Sequence, residues 1–219
     1  MLFLPVTRPW ALPHVVEAFD ASDIPKEVIL YLDAPGCRDW IRAFNDRGWV
    51  VLWHESGRGE PPKGRVERRH RHYLMRRDSQ SLVEMFDDAP ILFSEDDTLV
   101  PTDVWSRLMP HLATHKAASG VQRDRHGTNV LGVWRYTPEA GCFDPYFPWD
   151  YRPTGEVVDA AACGHYCLLT TASRYADAAI LDPEESIDRQ HTLQLRPIAV
   201  DTGVPCGHLI NAEGVVVLP

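Results

Sequence analysis

Ile91-Leu92-Phe93-Ser94-Glu95-Asp96-Asp97-Thr98-Leu99-Val100-Pro101 is the stretch on which the reading of this chain turns. Its first three residues form an apolar run of the kind that makes a strand buried on both faces, and three carboxylates follow directly. The pattern recurs upstream. Residues 3–7, 28–32 and 49–53 are short β-rich runs, separated by helical patterns over 11–19, 39–46 and 66–86. Apolar strands alternating with helices predict an α/β, Rossmann-type, mostly parallel sheet flanked by helices. Such sheets bind ligands at the carboxyl edge of their strands, where Glu95, Asp96 and Asp97 fall.

Three adjacent negative charges repel one another unless a cation or solvent compensates them. A hard divalent ion such as Mg²⁺ or Mn²⁺ does so with oxygen ligands, taking one or two carboxylates. The plainer alternative is a solvated acidic turn capping the helix predicted over 101–112. Beyond that helix the pattern loosens. Strands are expected at 119–121 and 129–136 around a turn at His126-Gly127, then a loop-rich stretch over 137–154 with four prolines. Residues 160–171 are small and apolar, 183–195 reads as a helix, and 215–218 as an edge strand. No linker divides the chain, so one domain over 1–219 is expected.

Composition narrows the classes. The chain has 219 residues and a net charge of −9, with 44% hydrophobic and 24% charged residues, which excludes wholesale disorder. No apolar run approaches the ~18 residues of a membrane span. The start, Met1-Leu2-Phe3-Leu4-Pro5, lacks a basic flank, so no signal peptide is expected. Five cysteines make no disulfide framework and fit a reducing cytoplasm.

Charge and aromatics are unevenly spread. Arg58, Lys63, Arg65, Arg68, Arg69, Arg71, Arg76 and Arg77 face only Glu60 and Glu67 within 58–77. This is either an anion-attracting patch, for a diphosphate or a nucleic-acid backbone, or a solvated helix face. Trp134, Tyr136, Phe143, Tyr146, Phe147, Trp149 and Tyr151 cluster in the second half, as a satellite core with a few rings available for stacking. The tripeptide Cys-Gly-His occurs twice, at 163–165 and 206–208, with Cys167 nearby. Thiolate and imidazole suit Zn²⁺, but the spacing matches no zinc module, and buried small hydrophobes explain the cysteines.

The acidic strand end resembles the Asp-x-Asp motif of GT-A fold, nucleotide-sugar-dependent glycosyltransferases, in the Glu-Asp-Asp variant of family-2-like members. Pro5-Val6-Thr7-Arg8-Pro9 resembles their first-strand nucleotide motif, Asp33 their base-reading carboxylate, and Arg76-Arg77-Asp78 their Arg-Asn helix start. Pro183-Glu184-Glu185-Ser186-Ile187-Asp188 resembles the motif that holds the catalytic base, and His208 the late histidine of the metal site. The resemblance implies a nucleotide-binding half over 1–100 and a loop-rich acceptor-binding half over 101–219. Thr7, Arg8, Asp33, Arg77, Glu95 and Asp96 would line the nucleotide site, with Asp96 on the ribose. Asp97 and His208 would hold Mn²⁺ or Mg²⁺, and Glu185 would be the base, with Glu184 and Asp188 as alternatives. The donor implied is a nucleotide sugar, a UDP-sugar foremost. The acceptor is a glycan, a small molecule or a modified DNA base, as in phage enzymes that glycosylate their own genome. Two other classes share features of the sequence: a zinc-stabilised nucleic-acid-binding module and a Mg²⁺-dependent nucleotidyltransferase.

Overall fold

A computed structural model describes residues 1–123, 130–179 and 187–219. The turn expected at His126-Gly127 and two candidate bases, Glu184 and Glu185, lie outside the described residues. The chain opens with β1 (Leu2–Val6), α1 (Leu12–Asp20), β2 (Glu27–Leu32), α2 (Asp39–Asn45), β3 (Val50–Glu55), α3 (Arg65–Val83) and β4 (Pro90–Ser94), the alternation that its apolar pattern predicts. β5 (Thr98–Leu99), α4 (Val104–Leu108), β6 (Ala117–Val121), β7 (Val133–Thr137) and β8 (Cys142–Pro145) follow. Next come β9 (Val157–Ala160), β10 (Ala162–Cys163), β11 (Cys167–Thr171), α5 (Ala172–Asp177) and α6 (Ile187–Gln194). The last strands are β12 (Ile198–Pro205), β13 (Gly207–Leu209) and β14 (Val216–Val217).

Eight strands from both halves of the chain form one sheet in the order β3-β2-β1-β4-β11-β6-β12-β9. β1 to β4 pair in parallel, as do β6 and β12, whereas β11 and β9 run against their neighbours. Because side chains alternate across a strand, each strand feeds two cores. Leu2, Leu4, Val6, Leu30 and Leu32 pack on one face with α1, α2 and α4. Phe3, Ile29, Tyr31, Ile91 and Phe93 pack on the other with α3 and α5. Burial on both faces is what continuous apolar runs encode, at about 1.5–3 kcal/mol for each large aliphatic side chain.

Several expectations need correction. β3 reads as a buried run, yet it is the sheet edge and leaves Val50, Leu52 and Trp53 exposed. The stretch expected to be loop contains β8, which pairs with β7 across a turn where Gly141 adopts φ +61°. β12 went unread because Asp201 and Gly203 interrupt its apolar pattern; Arg107 neutralises Asp201 with contacts of 2.9 and 3.1 Å. The helix expected over 101–112 is the short α4 followed by a 3-10 segment at Met109–Ala113, where Pro110 breaks the α pattern.

Two small antiparallel sheets flank the large one, β10-β7-β8 and β14-β13-β5. The second positions the candidate site. β5, directly after the acidic triplet, pairs with β13 so that His208 lies opposite Thr98 and Gly207 opposite Leu99. Gly207 is required by this close packing, since a Cβ there would stand 2.8 Å from Val216 Cγ1.

Candidate active site

The acidic triplet occupies a tight turn between β4 and β5, closed by a hydrogen bond from Thr98 N to Glu95 O at 3.1 Å. The turn fans the three carboxylates apart. Asp96 folds back onto the end of β1, accepting from Thr7 N at 2.5 Å, Arg8 N at 2.6 Å and Thr7 Oγ1 at 3.2 Å, and pairing with the Arg8 guanidinium. Asp97 turns the other way and is fully buried, with Arg8 Nη2 3.3 Å and His208 Nε2 3.4 Å from its Oδ2. Glu95 is largely covered and lies 3.8 Å from Arg76 Nη2. Fixed arginines offset part of the repulsion, while burial and the neighbouring Asp97 still push the Glu95 carboxyl up to about 7. Burial works against the charge on Arg8, but Asp96, Asp97 and Glu95 outweigh it and hold the guanidinium firmly protonated.

Two clefts meet at Glu95. The first, of about 570 Å³, is lined by Thr7, Arg8, Asp33, Arg71, Arg76 and Asp96 among others. Asp33 is buried at the end of β2, and its carboxylate is held by Arg71 Nε at 2.6 Å and Arg58 Nη1 at 3.2 Å. Arg71 also donates to the carbonyls of Glu60 and Gly59, both at 2.8 Å, which fastens the Gly/Pro-rich lead-in of α3 beside the cleft. Pro61, Pro62 and Arg68 close the same wall. Part of the basic segment thus forms the cleft wall rather than a diffuse surface patch.

The second cleft, of about 440 Å³, is lined by Glu95, Arg123, Trp134, Phe143, Tyr166, Asp188, Arg189 and His208 among others. Arg189 lies over the Trp134 ring at 4.4 Å, a cation–π contact that sets the ring's position. The remaining aromatics pack on one another, as Phe147 does on Tyr151 at 4.2 Å, in keeping with a satellite core. Asp188, near the start of α6, accepts from His165 Nδ1 at 2.5 Å and lies 3.4 Å from Arg76 Nη2. Burial raises its carboxyl, but His165 and Arg76 outweigh that and hold it well below the usual carboxylate range.

Of the residues that the resemblance singles out, Thr7, Arg8, Asp33, Glu95 and Asp96 come together on the first cleft. Asp97 and His208 meet behind them, and Asp188 lines the second cleft. Arg77 does not join them: its side chain is 60% exposed, and Arg76, one residue earlier, faces inward instead. The inward face of α3 carries Met75, Arg76, Ser79 and Val83, a helical spacing visible in the sequence. Sequence reasoning also missed the partnership of His165 with Asp188 and His191, which are joined only by the packing of α6 on β10. Cys206 of the second Cys-Gly-His tripeptide meets Cys167, but the two histidines are held in different places, His165 on Asp188 and His208 on Arg123 O. Cys163 and Cys167 are buried in different cores, and among the described residues no three His, Cys, Asp or Glu side chains surround one cation position.

The Asp97–His208 pair nevertheless suits a divalent ion in its chemistry. His208 Nδ1 donates to Arg123 O at 2.8 Å, so Nε2 is the nitrogen turned toward Asp97, the anchored tautomer that metal-ligating histidines use. Arg8 shares the same carboxylate oxygen, and its side chain, a quarter exposed, also lines the first cleft.

Neither a family profile nor a curated protein matches the sequence. Solved structures do. GalNAc-T7 with UDP, GalNAc and Mn²⁺ superposes with a TM-score of 0.63 at 10% identity, over 97% of this chain and 44% of that one. TarS 1–349 of S. aureus in complex with UDP-GlcNAc gives 0.53 at 11% identity, over 91% and 54%. A putative glucose-1-phosphate thymidylyltransferase from Bacillus anthracis gives 0.56 at 10%, over 94% and 88%. The chain spans about half the length of the two glycosyltransferases it matches. At these identities the likeness establishes the fold: a GT-A-like α/β architecture, common to glycosyltransferases and nucleotidyltransferases.

Proposed function

We propose that this chain is a metal-dependent glycosyltransferase that moves a sugar from a nucleotide sugar to an acceptor hydroxyl. The observation that carries the reading is the meeting of Asp97 and His208, 3.4 Å apart and 111 residues apart in sequence (208 − 97), behind two clefts that join at Glu95. Asp97 and His208 would hold Mn²⁺ or Mg²⁺, which when bound supplies charge neutralisation at a leaving diphosphate. Arg8, Arg68 and Arg71 give the first cleft the positive wall that a nucleoside diphosphate, a UDP-sugar foremost, needs. Trp134, Phe143 and Tyr166 give the second cleft flat apolar faces suited to a sugar ring or an extruded base. The acceptor is therefore a hydroxyl on a glycan, a small molecule or a modified DNA base. Residues 1–219 act as one domain in this reading, with 1–100 binding the nucleotide and 101–219 the acceptor. No described helix is long and apolar enough to cross a membrane.

In the transfer itself, Asp188 is the described candidate base; Glu184 and Glu185 keep that candidacy by resemblance alone. A second reading, nucleotidyl transfer, is favoured by one observation: the thymidylyltransferase is covered over 88% of its length, against about half for the glycosyltransferases. The products separate the two, a nucleoside diphosphate for sugar transfer and pyrophosphate for nucleotidyl transfer.

Thermal shift with a panel of nucleoside diphosphates and nucleotide sugars, with Mn²⁺ or with EDTA, tests the proposal. At least one nucleotide is expected to stabilise the protein only when metal is present, by about 2.7 kcal/mol at a hundredfold excess over Kd. No stabilisation by any nucleotide would overturn it.

A further inference from the structure

Behind Asp188 lies a chain of contacts that the transfer reading does not by itself require. His165, in the turn between β10 and β11, directs Nδ1 to Asp188 Oδ1 at 2.5 Å and Nε2 to His191 Nδ1 at 2.9 Å. His191 directs Nε2 to Tyr175 O at 3.1 Å. Both imidazoles are fully buried, whereas the Asp188 side chain is 21% exposed and lines the second cleft. Asp188 and His191 are three residues apart on α6, so they share one helix face, and His165 fits between them.

Counting protons along this chain gives a definite result. Three gaps separate the ionised Asp188 carboxylate, two imidazoles and a carbonyl, and each needs one hydrogen to be a bond. Two neutral imidazoles bring two. With two protons the group carries a charge of −1, and one gap holds two facing acceptors. With three protons every gap is bonded and the group is neutral, one imidazolium balancing the carboxylate.

We propose that Asp188, His165 and His191 act as one buried proton-accepting unit whose mouth is Asp188 on the second cleft. The proton it takes up closes the missing third hydrogen bond. That this proton comes from an acceptor hydroxyl rests on the transfer reading above; the shared uptake does not. In the transfer step the acceptor O–H bond breaks and its electron pair forms the bond to the anomeric carbon. The bond from that carbon to the phosphate oxygen breaks, its pair leaving with the nucleoside diphosphate. The proton passes to Asp188 and, by tautomer exchange in His165 and His191, is held inside the protein.

The surroundings prepare the two-proton state. Burial lowers His165, and Arg76 adds to the effect; burial also lowers His191, with His165 adding to it, so both rings rest neutral. α3 presents Arg76 and, 3.7 Å from Asp188, His72. The end of β4 presents Glu95 through Arg76, α5 presents Tyr175 with its ring 4.4 Å from His191, and β10 presents Cys163. Arg189, next to Asp188 on α6, is directed to the Trp134 ring. Arg76 is thus the fixed cation that keeps Asp188 ionised while the imidazoles stay uncharged.

The test uses the full chain labelled with ¹⁵N-histidine, followed by NMR from about pH 9 down through and below the ordinary histidine value of about 6.5, because burial lowers both rings. His165 and His191 are expected to take up one proton between them, with a strongly deshielded proton at His165 Nδ1. Rings that titrate independently, or that bind no shared proton, overturn the proposal. His191→Gln supplies the kinetic arm, because an amide can still accept from His165 and donate to Tyr175 O but cannot relay a proton. The expected result is a fall in kcat of about 10²-fold with the nucleotide-sugar KM unchanged, and an acid limb of the pH profile that moves. If that buried variant fails to fold, the shared titration of the two rings in the unaltered chain decides the proposal. Normal turnover in a folded His191→Gln protein removes the relay and leaves sugar transfer standing. A shared proton in a chain that transfers no sugar keeps the relay and removes the transfer reading.

Discussion

The two Cys-Gly-His tripeptides are identical in sequence and end in opposite chemical situations. In the second, β13 pairs with β5 and aims His208 at Asp97, anchored by Arg123 O at a site that a cation suits. In the first, the turn after β10 buries His165 against Asp188 and His191, a site where only a proton fits between the groups. A histidine's role here is set by what its other ring nitrogen meets, a carbonyl in one case and a second imidazole in the other. The difference makes separable claims: the His208 side is to govern binding, and the His165 side proton transfer.

Arg76 touches both sides and should give the largest effect. It is a guanidinium buried to 1% exposure, 3.4 Å from Asp188 and 3.8 Å from Glu95. Removing it leaves two carboxylates without their shared cation, so Arg76→Ala is expected to lower stability by about 3–5 kcal/mol, measured as a urea midpoint. A smaller loss would mean that the two sides are held independently and that the division between them is sharper than the geometry shows.

Next in size is Asp97→Ala, which should abolish the metal-dependent part of nucleotide stabilisation, about 2.7 kcal/mol at a hundredfold excess, while leaving the His165 titration in place. His165→Gln should do the reverse. Loss of nucleotide binding in both variants would erase the distinction between the two tripeptides.

The pH dependence of stability probes the proton side in the Glu95→Gln variant, because burial and Asp97 push the Glu95 carboxyl up to about 7 and it would otherwise take up a proton in the same window. His165 and His191 are both lowered from the ordinary histidine value, chiefly by burial, so the folded state refuses protons that the unfolded chain accepts. Stability is then complete above the unfolded value of about 6.5 and falls as pH drops below it. One proton refused corresponds to about 1.4 kcal/mol per pH unit. Urea midpoints that stay level from about pH 7 down to about pH 5 would show that the imidazoles are not held neutral.

A smaller effect is expected at the rim of the second cleft. Trp134→Ala removes a flat face and the partner of Arg189, and should raise the acceptor KM by about fivefold, roughly 1 kcal/mol, with the donor KM unchanged.

How much of this was legible in the sequence differs between the halves for a physical reason. β1, β2 and β4 are buried on both faces, so their residues are apolar without interruption and the parallel sheet could be read directly. β3 carries the same apolar signature but sits at the edge, and nothing in Val50 to Trp53 reveals which strand has no outer neighbour. In the second half charged residues enter the sheet once a partner neutralises them, as Arg107 does for Asp201, and the pattern that marks a strand disappears. The acidic turn was legible because three carboxylates after a strand are unusual. The Asp188–His165–His191 chain was not, because His165 stands 23 residues before Asp188 and only tertiary packing joins them.

The smallest expected effect concerns two adjacent arginines. The resemblance pointed to Arg77, but successive residues of a helix are turned about 100° from one another, so only one of the pair can face the sheet. Met75, Arg76, Ser79 and Val83 define the buried face of α3, and that leaves Arg77 in solvent beside Asp78 at 3.8 Å. Exposed pairs of this kind contribute little. Arg77→Ala should therefore change the urea midpoint by less than about 0.5 kcal/mol and leave nucleotide stabilisation at the wild-type level. A loss approaching that of Arg76→Ala would require α3 to be turned by a full residue step. It would also take Arg76 away from Asp188 and remove the cation on which the proton side depends.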